Sequence, residues 1–144
     1  MTLLTIGYEG RTREAYLALL REAGCTLLCD VRRNPFSRKP GFSKRALAVG
    51  CAAAGIRYEH LPELGIASAD RKAVATPADI AALFERYRRD MLPAQGAALG
   101  RIAAWLRAGE VVALTCFERD PRQCHRHLVA EALAAGTGAT VANL

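Results

Sequence analysis

Acidic side chains are missing from one long interval of the chain. No Asp or Glu stands between Asp30 and Glu59, while Arg32, Arg33, Arg38, Lys39, Lys44, Arg45 and Arg57 all do. Aromatic residues are also few, at 6% of the 144 residues. No apolar run approaches the roughly 18 residues a membrane span requires. The opening Met1-Thr-Leu-Leu-Thr has neither the basic start nor the apolar stretch of a secretory signal. These absences predict a cytoplasmic protein with no membrane partner. The cysteines lack pairing. Cys25, Cys29, Cys51, Cys116 and Cys124 are odd in number and none stands in a Cys-x2-Cys motif. That argues against a disulfide scaffold and against structural zinc, so the expectation is reduced thiols, no metal and no cofactor.

What is present is ordinary for a globular protein: 51% hydrophobic and 24% charged residues. One domain over residues 1–144 is predicted, large enough to bury its own core. A net charge of +6 suits an anionic partner. Composition sets no oligomeric state.

Periodicity alternates between strand and helix. Thr2–Ile6 reads as a strand, and residues 13–23 as a helix capped by Thr12 and closed by Gly24. Residues 25–31 form a second apolar run of strand length. Ser43 then caps a helix with Leu47, Gly50, Cys51 and Ala54 on one face, and residues 56–61 alternate like a third strand. Residues 64–75 read as an irregular loop. Thr76-Pro77-Ala78-Asp79 opens a helix with a capping-box pattern, and Pro93 separates it from another that ends at Gly109. Residues 111–117 are the most continuous apolar run, as expected for a central strand covered on both faces. Asp120-Pro121-Arg122-Gln123 repeats the capping pattern, which predicts a helix from Pro121, and residues 139–144 close the chain as a short strand. The alternation predicts a three-layer α/β fold, a mostly parallel sheet with helices on both faces.

Ligands of such sheets bind outside the carboxyl ends of the strands. That rule gathers Tyr8, then Asp30 with Arg32, Ser37 and Arg38, then His60, and then Cys116 and Glu118 followed by Cys124, His125 and Arg126. Asp30, Glu118 and His125 are the candidate acid–base groups. Tyr8, Arg32, Ser37, Arg38 and Arg126 are the candidate substrate contacts, and Cys116 and Cys124 the candidate thiols. Cys124 and His125 are expected in the first turn of a helix. The interval Cys116 to Arg122 has the Cys-x5-Arg spacing of cysteine phosphatases, but Pro121 lacks an N–H and Glu118 and Asp120 repel anions, so it makes a poor oxyanion cradle. The acid-free interval, with Phe36 and Phe42 interleaved, suits phosphates and stacked bases. The expected activity is therefore an enzyme acting on nucleic acid or a phosphorylated small molecule. The alternatives are an anion-binding module, or thiol or metal chemistry through Cys116 and Cys124.

Taken together, Ile6-Gly7-Tyr8, Asp30-Val31-Arg32 with Pro35 and Ser37-Arg38, Gly41-Phe42, Gly55-Ile56 with Tyr58, Leu64-Gly65, and Cys116-Phe117-Glu118 leading to Pro121 and Cys124-His125-Arg126 resemble the bacterial family known as domain of unknown function 488. The resemblance runs almost end to end and implies a cytosolic α/β domain with a polar cleft. Ile66 stands where that family usually has a second glycine after Leu64-Gly65.

Overall fold

The computed structural model describes residues 1–144 as a five-stranded parallel sheet between two helical layers. Strands β1 (Thr2–Gly7), β2 (Leu27–Asp30), β3 (Arg57–His60), β4 (Val112–Cys116) and β5 (Thr140–Asn143) lie in the order β3-β2-β4-β1-β5, and each pairing is parallel. The run predicted to be central is central. Every residue of β4 and of β2 is buried, whereas the edge strands β3 and β5 are only partly covered.

Alternation along the strands divides the core. Leu4, Ile6, Leu28 and Ala113 pack with Tyr16 and Leu20 of α1 (Arg13–Glu22) and with Leu47 and Cys51 of α2 (Lys44–Ala53). Leu3, Leu27, Cys29, Val112 and Leu114 face the other layer. That layer is α4 (Pro77–Arg86), α5 (Gly96–Arg107) and α6 (Arg126–Thr137), with Leu83, Ile102, Leu106, Val129 and Leu133 turned inward. Each buried Leu or Ile contributes about 1.5–3 kcal/mol by leaving water. Inside the first layer, the Tyr16 hydroxyl donates to Thr115 Oγ1 at 2.6 Å, and Thr115 donates to the Ile6 carbonyl at 3.0 Å, so a buried polar line crosses from helix to sheet.

The caps follow the sequence in part. Thr12 accepts from the Ala15 N–H, and Thr76 with Asp79 forms the capping box in full. Ser43 precedes α2 but makes no cap bond; it donates to the Ser37 carbonyl and accepts from the Ser37 N–H, and so ties the basic loop to itself. Between residues 64 and 75 the structure holds a short helix, α3 (Ser68–Lys72), that apolar periodicity gives no sign of because it buries no side chain. Past Pro121 only a 3₁₀ turn forms, Pro121–Gln123. Cys124 is extended, and α6 starts after His125. The expected placement of Cys124 and His125 inside a first helical turn is therefore corrected: His125 is the N-cap. The Asp120 side chain accepts from the Arg122 N–H and caps the start of the short turn, which ends at Cys124. No helix is long and apolar enough to cross a membrane.

β1 and β4 are neighbours, yet the chain leaves β1 through α1 on one face and leaves β4 through α6 on the other. Their carboxyl ends, in register at Gly7 and Cys116, therefore bound a crevice. Gly7 has to be glycine, because a Cβ there would run into the Glu118 carbonyl.

Candidate functional site

A cleft of about 780 Å³ opens over these strand ends. Its floor includes Tyr8, Arg32, Ile66 and Cys116. One wall is the basic loop with Arg33, Asn34, Phe36, Ser37 and Arg38; the other is α3 with Ser68, Arg71 and Lys72, beside Phe117 and Glu118. Glu118 is the one carboxylate in this lining. Arg33, Arg38, Arg71 and Lys72 are all exposed, so their charges reach the solvent of the cleft. Asn34 Nδ2 donates to Ser68 Oγ at 2.8 Å and links the two walls.

The structure sorts the sequence-predicted residues into those that face the cleft and those beneath it. Tyr8, Arg32, Ser37, Arg38, Cys116 and Glu118 line it, while Asp30, Cys124, His125 and Arg126 do not. Asp30 is fully buried and engaged: Arg32 donates to both its oxygens, at 2.8 and 2.7 Å, and Tyr58 donates at 2.5 Å. Arg32 spends its remaining Nη1 on the Tyr8 hydroxyl and the Phe42 carbonyl. Desolvation opposes its charge, but the Asp30 carboxylate outweighs this and the guanidinium pKa is raised. The pair braces the β2 loop, leaving Arg32 few donors for a ligand.

Arg126 is also fully buried but has no carboxylate against it. Its Nη1 donates to the Glu118 carbonyl at 2.5 Å and to Cys116 Sγ at 3.2 Å, its Nη2 donates to the Arg119 carbonyl at 3.2 Å, and its Nε has no partner. Desolvation lowers its pKa to about 10. The expectation of reduced thiols is corrected at one pair: Cys116 and Cys124 are joined as a disulfide, with their Cα atoms 7.2 Å apart, because the end of β4 and the link into α6 bring the two sulfurs together, while Cys25, Cys29 and Cys51 are free. His125 Nε2 donates to the Val31 carbonyl at 2.8 Å, so Nδ1 carries the lone pair, 3.8 Å from Cys124 Sγ. Burial drops the His125 pKa to about 4, which keeps the ring neutral at cellular pH.

One cleft residue escapes sequence reasoning. Arg71 donates to His125 Nδ1 at 3.1 Å and lies 3.5 Å from Glu118, connecting the buried ring to the cleft carboxylate. The aromatic assignment is also corrected. Phe42 is fully buried, stacked on Tyr8 at 4.6 Å and edge-on to Tyr16, and cannot receive a base. Phe36 is 74% exposed and Phe117 44%, and both line the cleft. Ile66, in place of the second glycine, packs into the core below the cleft.

Comparison with curated proteins and with solved structures finds no match. The family model described as Domain of unknown function DUF488 matches residues 11–133 of the 144, from the start of α1 into α6, and so takes in the basic loop, α3 and the Cys116–Arg126 segment; the chain belongs to this family.

Proposed function

We propose that the cleft takes a substrate carrying both phosphate and base, a single-stranded nucleic acid or a nucleotide, and that Glu118 is the group positioned to act on it. One observation carries this reading: Arg33, Arg38, Arg71 and Lys72 surround a cleft that also exposes Phe36 and Phe117 and contains a single carboxylate. Guanidinium and ammonium groups suit phosphate oxygens, and exposed rings suit the faces of bases. Glu118, about three-quarters buried and next to Arg71, is the acid–base group nearest such a ligand. Asp30 and His125, both enclosed and hydrogen-bonded, support the substrate-holding loops in this reading.

Fluorescence anisotropy with a labelled single-stranded oligonucleotide at low salt is the test, with mononucleotides as competitors to separate polymer from monomer. Binding should weaken steeply with salt, and the Arg33→Gln, Arg38→Gln, Lys72→Gln triple variant should lower the log–log salt slope by about 2, at about 0.7 per phosphate contact. Phe36→Ala should cost about 1–3 kcal/mol of affinity and leave that slope alone. Absence of binding by both probes at low salt refutes the reading. Glu118→Gln should keep binding and abolish turnover. A parent protein that binds without turnover is instead a binding module, a second reading favoured by the enclosure of Asp30 and His125.

A further inference from the structure

We propose that Cys116, Cys124 and His125 form a binding site for one soft divalent cation of the zinc class, with a fourth coordination position turned toward Glu118 and the cleft. The two sulfurs and one ring nitrogen all lie within 4.8 Å of one another. A tetrahedral zinc with bonds of about 2.0–2.3 Å separates its ligands by about 3.3–3.8 Å, so the two sulfurs, bonded to each other in this structure, have to be reduced and to move apart to that spacing before they close around it. The Cys124 Sγ to His125 Nδ1 distance, 3.8 Å, already falls at that spacing.

Three further features fit. The His125 Nε2–H is given to the Val31 carbonyl, which fixes the tautomer and leaves Nδ1 as the acceptor nitrogen, held by Arg71 and 3.8 Å from Cys124 Sγ; metal-bound imidazoles are held by this kind of outer bond. The Cα atoms of the two cysteines, 7.2 Å apart, are beyond the span of about 4.4–6.8 Å that suits a relaxed disulfide, whereas two thiolates facing one cation tolerate it. Arg126, buried without a carboxylate in contact, donates to Cys116 Sγ at 3.2 Å and holds that sulfur in place at the end of β4.

Arg71 occupies the open side. It holds His125 Nδ1 and neighbours Glu118, so a guanidinium sits where the cation would bind, and it belongs to a short, exposed helix from which it can withdraw. Cys116 belongs to the floor of the cleft, and Glu118 lies 3.6 Å from its sulfur, so a water on the fourth position would face that carboxylate. Three protein ligands and one free position is the arrangement of catalytic rather than structural zinc. The end of β4 and the extended link before α6, rather than a Cys-x2-Cys turn, bring these ligands together.

The test uses tag-free full-length protein, reduced and metal-free, titrated anaerobically with Co(II) and then with Zn(II), without any nucleotide, so its outcome is independent of the cleft ligand. The expected result is one equivalent bound, with a thiolate-to-cobalt charge-transfer band, tetrahedral d–d absorption and displacement by Zn(II). Cys116→Ser and Cys124→Ser should each abolish the charge-transfer intensity or weaken binding by more than about 100-fold, the upper range for losing an outer-shell partner. Arg71→Ala, which frees His125 Nδ1 and leaves all three ligands in place, should tighten binding by about tenfold, the scale on which neighbouring groups tune such sites. A folded, reduced wild-type protein with no charge-transfer band overturns the proposal, as does undiminished binding in the double serine variant.

Discussion

Two arginines lie buried at the same edge of the sheet, one in the loop after β2 and the other at the start of α6, and their surroundings are opposite. Arg32 meets a carboxylate in a two-pronged contact and satisfies its other donors on a hydroxyl and a carbonyl. Arg126 meets two carbonyls and a sulfur and keeps one donor unpaired. Burial of a charge is tolerable when an opposite charge is buried with it and expensive otherwise. Arg32 therefore reads as architecture. Arg126 stands beside Cys116 with no carboxylate in contact, Glu118 and Asp120 favouring its charge only from a distance, and burial lowers its pKa.

The contrast can be broken by mutation. The largest effect is expected from Asp30→Ala, which leaves the buried Arg32 without its carboxylate and should cost about 3–5 kcal/mol in urea unfolding. Arg126→Met removes a buried charge but orphans the Glu118 and Arg119 carbonyls, so a loss of about 1–3 kcal/mol is expected by the same measurement. If Arg126→Met proves the costlier of the two, the contrast is wrong. Thiol chemistry sharpens it further. Burial raises the Cys25 thiol to about 11 and the Cys51 thiol to about 12, and pushes Cys29 higher still, so these three stay protonated and inert until the pH rises through those values. In reduced, metal-free native protein near neutral pH, iodoacetamide should modify Cys116 first, as read by peptide mass, and the Arg126→Met background should slow it. Smallest is Glu110→Gln at the opposite edge of the sheet. There Glu110 pairs with the half-exposed Arg57 at 2.9 Å and also accepts from Thr26, and a change of about 0.2–1 kcal/mol is expected.

The sequence makes much of the frame legible. The unbroken apolar run at residues 111–117 could only be a strand covered on both faces, and Thr76, Pro77 and Asp79 announce their helix through a cap that the backbone requires. Their signals are local. The sides of the cleft are less legible because they depend on which face a short element presents. Phe36 and Phe42 stand six residues apart in one loop, and nothing in their spacing says that Phe42 stacks under Tyr8 while Phe36 points outward. Residues 68–72 carry no apolar stripe, so the helix bearing Arg71 is silent, and with it the contact to His125. The Asp120 cap forms as its pattern predicts, but a cap fixes only where a turn begins; Cys124 lies in an extended link because the turn is 3₁₀ and stops after three residues, which a capping pattern does not specify.

α3 buries none of its own side chains and is tied down by polar contacts at its rim: Ser68 to Asn34, Asp70 to Arg86, and Arg71 to Glu118 and His125. Segments fastened in this way open without the rest of the molecule unfolding. The amides of residues 68–72 should therefore exchange with deuterium well ahead of those in β4. The pace at which the cleft floor meets the outside is then set by the lifetime of a few hydrogen bonds on one wall, a quantity that changes with salt and with Arg71 while the global stability stays where it was.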